Sequence, residues 1–173
     1  MDARYPIGKY EAKPFSHKQK EEWLLQIKFL PQELELAIQN LDEFQLNTPY
    51  RDGGWTVKQL VHHIADSHMN AYARFKLGLT ENNPTIKPYD ENKWADLADV
   101  QSTPVNISIT LLYALHERWH AAIKDLTEDQ FERTVLHPEH GRLMSLWLLL
   151  GLYAWHGKHH VAHITALREQ KKW

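Results

Sequence analysis

Four long segments of this chain space their apolar residues three or four positions apart, which is the periodicity of an amphipathic α-helix. The pattern predicts helices over residues 17 to about 44, 56 to about 79, 103 to about 126, and about 146 to 170. Almost no segment alternates as a strand would. We therefore predict an all-α, four-helix bundle that forms a single domain over residues 1–173.

The ends of these helices carry local signals. Ser16 with Gln19, and Thr56 with Gln59, read as capping boxes, and Thr103 is predicted to cap the third helix. Pro31 removes a backbone donor inside the first helix, so we expect a kink or break near Lys28.

The sequence also predicts the form of the connections between the helices. Residues 5–14 should form an extended arm, residues 80–102 a long link, and residues 127–130 the start of one further helical turn. Residues 134–143 suggest a short hairpin before the last helix. Because two connections exceed ten residues, the order of the helices in the bundle stays open.

Composition excludes several classes of function. The chain has no cysteine, so any metal must be held by histidine and carboxylate. Net charge is −2, and the basic residues are interleaved with acidic ones, which argues against nucleic-acid binding. The most apolar run, residues 143–155, is shorter than the roughly 20 residues that span a bilayer. With no apolar signal segment at the N-terminus, we expect a cytoplasmic protein.

The last predicted helix holds four histidines. At about 100° per residue, His156 and His160 lie about 40° apart, on the apolar stripe that also contains Leu149 and Leu167. Imidazoles four residues apart on one helical face can share a cation. His159 and His163 form a second such pair. The stripe favours the first pair, with His163 as the best spare.

The second and third predicted helices offer further histidines. On the second, periodicity ranks His68 as most inward and His63 second, while His62 points away from the stripe. On the third, His116 and His120 share the apolar face of Ile109, Leu112, Tyr113 and Ile123. They could be ligands, hydrogen-bond partners of ligands, or ordinary buried imidazoles. His137 and His140, in the predicted hairpin, could rim a site.

Five stretches of the chain are similar to a known family. Residues 55–68, which contain the His62-His63-Ile64-Ala65-Asp66 run, resemble the second-helix motif of the DinB-like metalloenzymes. Residues 5–10, 87–90, 137–142 and 153–160 resemble the YfiT branch of that family, which is described as metal-dependent hydrolases and bacillithiol transferases. The resemblance spans nearly the whole chain.

The resemblance implies a four-helix bundle that carries one divalent metal, zinc or nickel, on three histidines. It places the ligands at His63, His156 and His160, so that His68 becomes a neighbour rather than a ligand. It also implies a homodimer that acts on a small molecule.

Three functions are consistent with such a site. The first is a metal-dependent hydrolase that activates water, because three imidazoles leave a coordination position open. The alternative is a metal-dependent S-transferase that binds a low-molecular-weight, bacillithiol-type thiol at that position. The second alternative is a non-enzymatic, metal-binding stress-response module, in which His68, His116 or His163 would supply a fourth ligand. Asp66 and Glu117 are candidates for a general base, and neither is assigned.

Overall fold

The computed structural model describes residues 3–139 and 141–173, and within these the chain is predominantly helical. The four predicted long helices are present as α1 (His17–Ile38), α3 (Val57–Thr80), α6 (Val105–Ile123) and α8 (Leu146–Lys171). The shorter elements are α2 (Glu43–Leu46), α4 (Glu91–Ala95), α5 (Ala98–Ser102), α7 (Glu128–Glu132), β1 (Thr134–His137) and β2 (Arg142–Ser145). The prediction of an all-α four-helix bundle is confirmed, with a two-stranded hairpin before the last helix.

Most of the predicted caps form. Ser16 accepts a hydrogen bond from the Gln19 amide at the start of α1, and Thr56 with Gln59 makes a full capping box at α3. The cap predicted at Thr103 is wrong: Pro104 stands at the N-cap of α6 and no side chain caps that helix. The Thr103 carbonyl instead lies 3.1 Å from Nε2 of His62.

The first helix departs from the prediction in two ways. α1 continues through Pro31 without the break expected near Lys28, because one proline removes only one helical hydrogen bond and α1 is held by packing on its neighbours. It ends at Ile38 rather than near residue 44, since Asn40 takes a left-handed conformation with φ of 63° and the chain restarts as α2 at an Asp42 capping box.

The long link and the third helix also differ from the prediction. Two short helices, α4 and α5, occupy the stretch predicted as an irregular connection, with Asp90 capping the first. In α6, Ile109, Leu112 and Ile123 face inward as predicted, but Tyr113 is 42% exposed. Its hydroxyl donates to Glu35 on α1, so this tyrosine closes the surface between two helices rather than filling the core.

The long helices pack in the cyclic order α1, α8, α3, α6. In that order α3 and the following α6 are neighbours, whereas α1 stands diagonally across the bundle from α3, and α6 from α8. Two apolar clusters fill its interior. One is built around Trp23, Phe75 and Trp119, the other around Leu34, Leu60 and Leu112. Among the described residues no helix has the length and apolar character needed to cross a membrane.

Candidate metal centre

A layer of histidines lies between the two apolar clusters. Along α8, Tyr153 belongs to one cluster and Ile164 to the other, with His156, His160 and His163 between them. The layer continues through His68 on α3 and His116 on α6, both at most 1% exposed. Polar side chains at this depth are rare unless they bind one another or a ligand. The bundle therefore places a polar cross-section where leucine would normally pack.

Three of these histidines converge on one point. Nε2 of His156 lies 3.2 Å from Nε2 of His63 and 3.1 Å from Nε2 of His160. One nitrogen from each ring lies within 4.8 Å of the others, and among the described residues this is the group that could hold a metal ion. The structure thus brings together the three residues that the resemblance singles out.

Aromatic packing holds the rings in place. The indole of Trp55 lies against His63, with ring centroids 4.5 Å apart. His159 points away from the cluster and stacks on Trp155 at 4.4 Å. The two residues directly precede His156 and His160 in sequence, yet their stacked side chains lie together on a different side of the last helix. Periodicity predicted this separation of His159 from the His156/His160 stripe.

Burial keeps these imidazoles uncharged. It lowers the pKa of His63 to about 4, and it lowers the pKa of His156 and of His160 well below the usual value, with the neighbouring histidines adding to the effect. Metal ligation requires neutral imidazole, so protons compete little for these nitrogens near neutral pH. The three imidazoles are therefore in the neutral form that can bind a cation.

The remaining histidines are engaged elsewhere. His68 uses its two ring nitrogens toward His116, at 3.0 Å, and toward Nδ1 of His156, at 3.2 Å. His163 lies 3.4 Å from Nδ1 of His160. None of these geometries adds a fourth nitrogen to the cluster, which is what a closed site would need.

One histidine prediction from periodicity is wrong. His62 does not point away from the interior: it is 6% exposed and its Nδ1 lies 2.8 Å from the Ser108 hydroxyl of α6. The ranking of His68 as more inward than His63 is confirmed, since the two side chains are 0% and 4% exposed, but it is His63 that belongs to the converging group. His120 is half-buried and takes no part in the histidine layer.

A cavity of about 390 Å³ opens beside His156. His137 lines it, as the prediction of a rim residue allowed, while His140 lies outside the described residues. Arg74 also lines it and donates to the Tyr153 hydroxyl at 2.7 Å and to the Lys87 carbonyl at 3.2 Å. Arg142 is exposed and is not part of this lining.

Sequence reasoning did not single out several residues of this cavity. Ser67, Tyr89, Asp90, Glu91 and Glu139 line it together with Arg74. Burial raises the pKa of Tyr89 to about 12 and also raises the pKa of Glu91. The resemblance was the sequence signal for four of the five, since Ser67 lies in stretch 55–68, Tyr89 and Asp90 in 87–90, and Glu139 in 137–142. Glu91 lies in none of these stretches.

Comparison with known proteins decides the family. The sequence profile of the DinB superfamily matches residues 26–164. The chain belongs to the DinB superfamily. Relatives of this DinB-superfamily chain include a protein of Bacillus cereus, 53% identical, and one of Bacillus anthracis, 52% identical; each match covers 99% of both chains. Both relatives are named "Putative metal-dependent hydrolase".

Two solved structures are similar to this chain. YfiT from Bacillus subtilis, described as "a probable metal-dependent hydrolase with an unusual four-helix bundle topology", matches with a TM-score of 0.97 and 46% identity over 100% of this chain and 99% of its own. A mycothiol-dependent maleylpyruvate isomerase matches with a TM-score of 0.65 over 84% of this chain and 60% of its own. At 18% identity, the second match shows a shared fold and nothing about function.

Proposed function

We propose that this protein is a hydrolase that binds one zinc or nickel ion through His63, His156 and His160 and acts on a small molecule. The observation that carries the proposal is the convergence of three Nε2 atoms, with separations of 3.2 and 3.1 Å. Zinc–nitrogen bonds of about 2.0–2.1 Å in tetrahedral geometry separate neighbouring ligand nitrogens by about 3.3 Å. The donor set therefore fits such an ion with little movement.

The number of ligands favours catalysis over a purely structural role. Catalytic zinc sites characteristically use three protein ligands and keep one position open, whereas structural sites use four. His68 and His163 bind other histidines, and His156 borders a cavity. A non-enzymatic module whose cation only stabilises the bundle would have no use for this opening.

A cation held by three imidazoles acts as a Lewis acid and lowers the pKa of water toward about 7, which supports hydrolysis near neutral pH. The protein's own contribution is to bind and orient the substrate. Arg74 is fixed by Tyr153 and the Lys87 carbonyl, so its positive charge stays in place beside His156. A cavity of about 390 Å³ is within the usual size range for small-molecule sites.

The test is an activity screen on tag-free protein, first stripped of metal and then reloaded with zinc or nickel. We expect hydrolysis of small esters or amides to appear only after loading, to persist in His159→Ala and to be lost in His160→Ala. His159 is the matched control because it is equally buried on the same helix but outside the cluster. Hydrolysis that survives in metal-free protein or in His160→Ala would contradict the proposal.

The same screen includes a low-molecular-weight thiol with an electrophile. Activity only in that arm would replace hydrolysis by S-transfer, with the same histidines.

The homodimer implied by the resemblance stays a prediction. The exposed apolar side chains of α1 and α6, among them Leu25, Phe29, Ile107 and Leu111, are where we expect a second copy to pack.

A further inference from the structure

The histidine layer begins at the Ile27 carbonyl, which has no helical hydrogen-bond donor because residue 31 is a proline. In an α-helix the amide of residue 31 would donate to the carbonyl of Ile27, but Pro31 has no amide hydrogen. Nδ1 of His116, on the neighbouring helix α6, lies 2.5 Å from that carbonyl oxygen. Because a carbonyl only accepts, the hydrogen must be on Nδ1 of His116.

This first hydrogen bond determines the next two. His116 is neutral, since burial lowers its pKa to about 4, so its Nε2 is left as an acceptor. Nδ1 of His68 lies 3.0 Å away and must therefore donate to it. Nε2 of His68 in turn accepts from Nδ1 of His156 at 3.2 Å. The proton of His156 is thereby held on Nδ1, and the lone pair of its Nε2 faces His63 and His160.

A second, shorter chain does the same for the other ligand of α8. The backbone carbonyl of Arg4 lies 3.3 Å from Nε2 of His163 and accepts its hydrogen. Nδ1 of His163, 3.4 Å from Nδ1 of His160, is then the acceptor of that pair. Tyr50 stacks on His163 with ring centroids 4.1 Å apart and holds it in place. The lone pair of His160 is thus also on Nε2.

The two chains meet in a contact between acceptors. Nε2 of His156 and Nε2 of His160 lie 3.1 Å apart, and neither carries the hydrogen that a bond between them would need. Two lone pairs at this distance repel each other, and a cation between them removes the repulsion. The second nitrogen of a metal-bound histidine usually has such a partner, which fixes the tautomer and raises the basicity of the ligand.

We propose that His68, His116 and His163 are positioning residues that set the tautomers of His156 and His160, so that both present Nε2 to the metal. The two chains start from backbone carbonyls, Ile27 and Arg4, which cannot change their role as acceptors. The inference rests on the proposed metal centre, and it adds residues from α1, α6 and the N-terminal arm to the function of that centre.

The first test is mutational, with zinc affinity measured by chelator competition on tag-free protein. His68→Leu removes the two hydrogen bonds that His68 makes in the first chain, at similar volume, and we expect it to weaken zinc binding about 10- to 100-fold. His68→Gln offers an amide oxygen to His156 and an amide N–H to His116, so it should restore most of the affinity. A purely structural role of His68 predicts no such rescue pattern.

The matched control is His62→Leu. His62 lies on the same helix and also loses two hydrogen bonds on substitution, to Ser108 and the Thr103 carbonyl, but it belongs to neither chain. We expect lower stability of the metal-free protein with unchanged zinc affinity. Wild-type affinity in a folded His68→Leu protein would overturn the inference while leaving the metal centre intact. Absence of zinc binding in the wild type would instead contradict the proposed function.

The second test needs no substitution and no metal. Long-range ¹⁵N–¹H correlation spectra of the metal-free protein distinguish the two imidazole tautomers. We expect the hydrogen on Nδ1 in His68, His116, His156 and His160, and on Nε2 in His163. A hydrogen on Nε2 of His156 or of His160 would overturn the assignment, whether or not the variants fold.

Discussion

Asp66 lies one helical turn after His63, and its carboxyl is energetically unfavourable when ionised. Burial raises its pKa to about 6, and the charge of Asp99 adds to the shift. The carboxylate makes no hydrogen bond to His63 among the described residues, so it does not orient that ring. Because the folded pKa is above the unfolded value of about 3.9, this group favours the fold below pH 4, and that contribution is lost as pH rises through 6.

Asp66→Asn should therefore stabilise the metal-free protein at pH 7.5. We expect a gain of about 1 kcal/mol, after allowing for solvent screening of a half-exposed group. The gain should shrink to about a third of that value at pH 4.5, because most of the carboxyl is then protonated in the folded protein. Urea unfolding at both pH values, in the presence of a chelator, measures it, with the exposed Asp52→Asn as control. An equal free energy of unfolding for Asp66→Asn and wild type at pH 7.5 would refute this account of Asp66.

Single residues also show where sequence reasoning stops. Periodicity identified His68 as deeply buried, and it is, but burial does not say which neighbour a ring meets. His68 meets His116 and His156, while His63 at the edge of the same stripe faces the cluster on α8. The relation between α3 and α8 decides this, and only the resemblance to a known family anticipated it.

At the scale of the helix, α8 carries the cluster and needs a close approach to α1. A Cβ at Gly157 would lie 2.5 Å from Cδ2 of Leu30 on α1, a side chain that is 2% exposed. Glycine thus lets the two helices approach next to His156. This contact is not visible in the sequence of either helix alone.

Gly157→Ala should destabilise the protein by about 1–3 kcal/mol through overpacking. Leu30→Ala alone should cost about 2–5 kcal/mol through the cavity it leaves. The double variant should cost clearly less than the sum, since each change makes room for the other. Urea unfolding of the four proteins in the cycle gives the coupling energy. Strict additivity would show that Gly157 and Leu30 are not the close contact described here.

Local signals predicted which elements form better than where they end. The capping box predicted at Thr56 and the helical turn predicted to start at residues 127–130 are in place, because both depend on residues three apart. The early end of α1 and the first short helix of the link also have local caps, at Asp42 and Asp90, which sequence reasoning did not single out. Pro31 illustrates the limit of local reasoning, which expects a break at this proline. In the bundle, the Ile27 carbonyl that Pro31 leaves without a helical donor binds His116 instead.

At the scale of the whole molecule, the cyclic order of the four long helices brings the histidines together. α3 and α8 are neighbours in that order, so His63 can reach the pair on α8. α6 lies beside both α1 and α3, so His116 can join the Ile27 carbonyl to His68. The sequence pattern predicted four helices but not this order, because long connections allow several arrangements of the same helices.

Metal content is the most direct test of the central claim, that His63, His156 and His160 bind one ion. Plasma mass spectrometry of tag-free protein should find about one zinc or nickel per chain, the stoichiometry of a single three-histidine site. His63→Ala, His156→Ala and His160→Ala should each lose it, and His159→Ala should keep it. Full metal content in any of the first three variants, or none in the wild type after supplementation, would contradict the account.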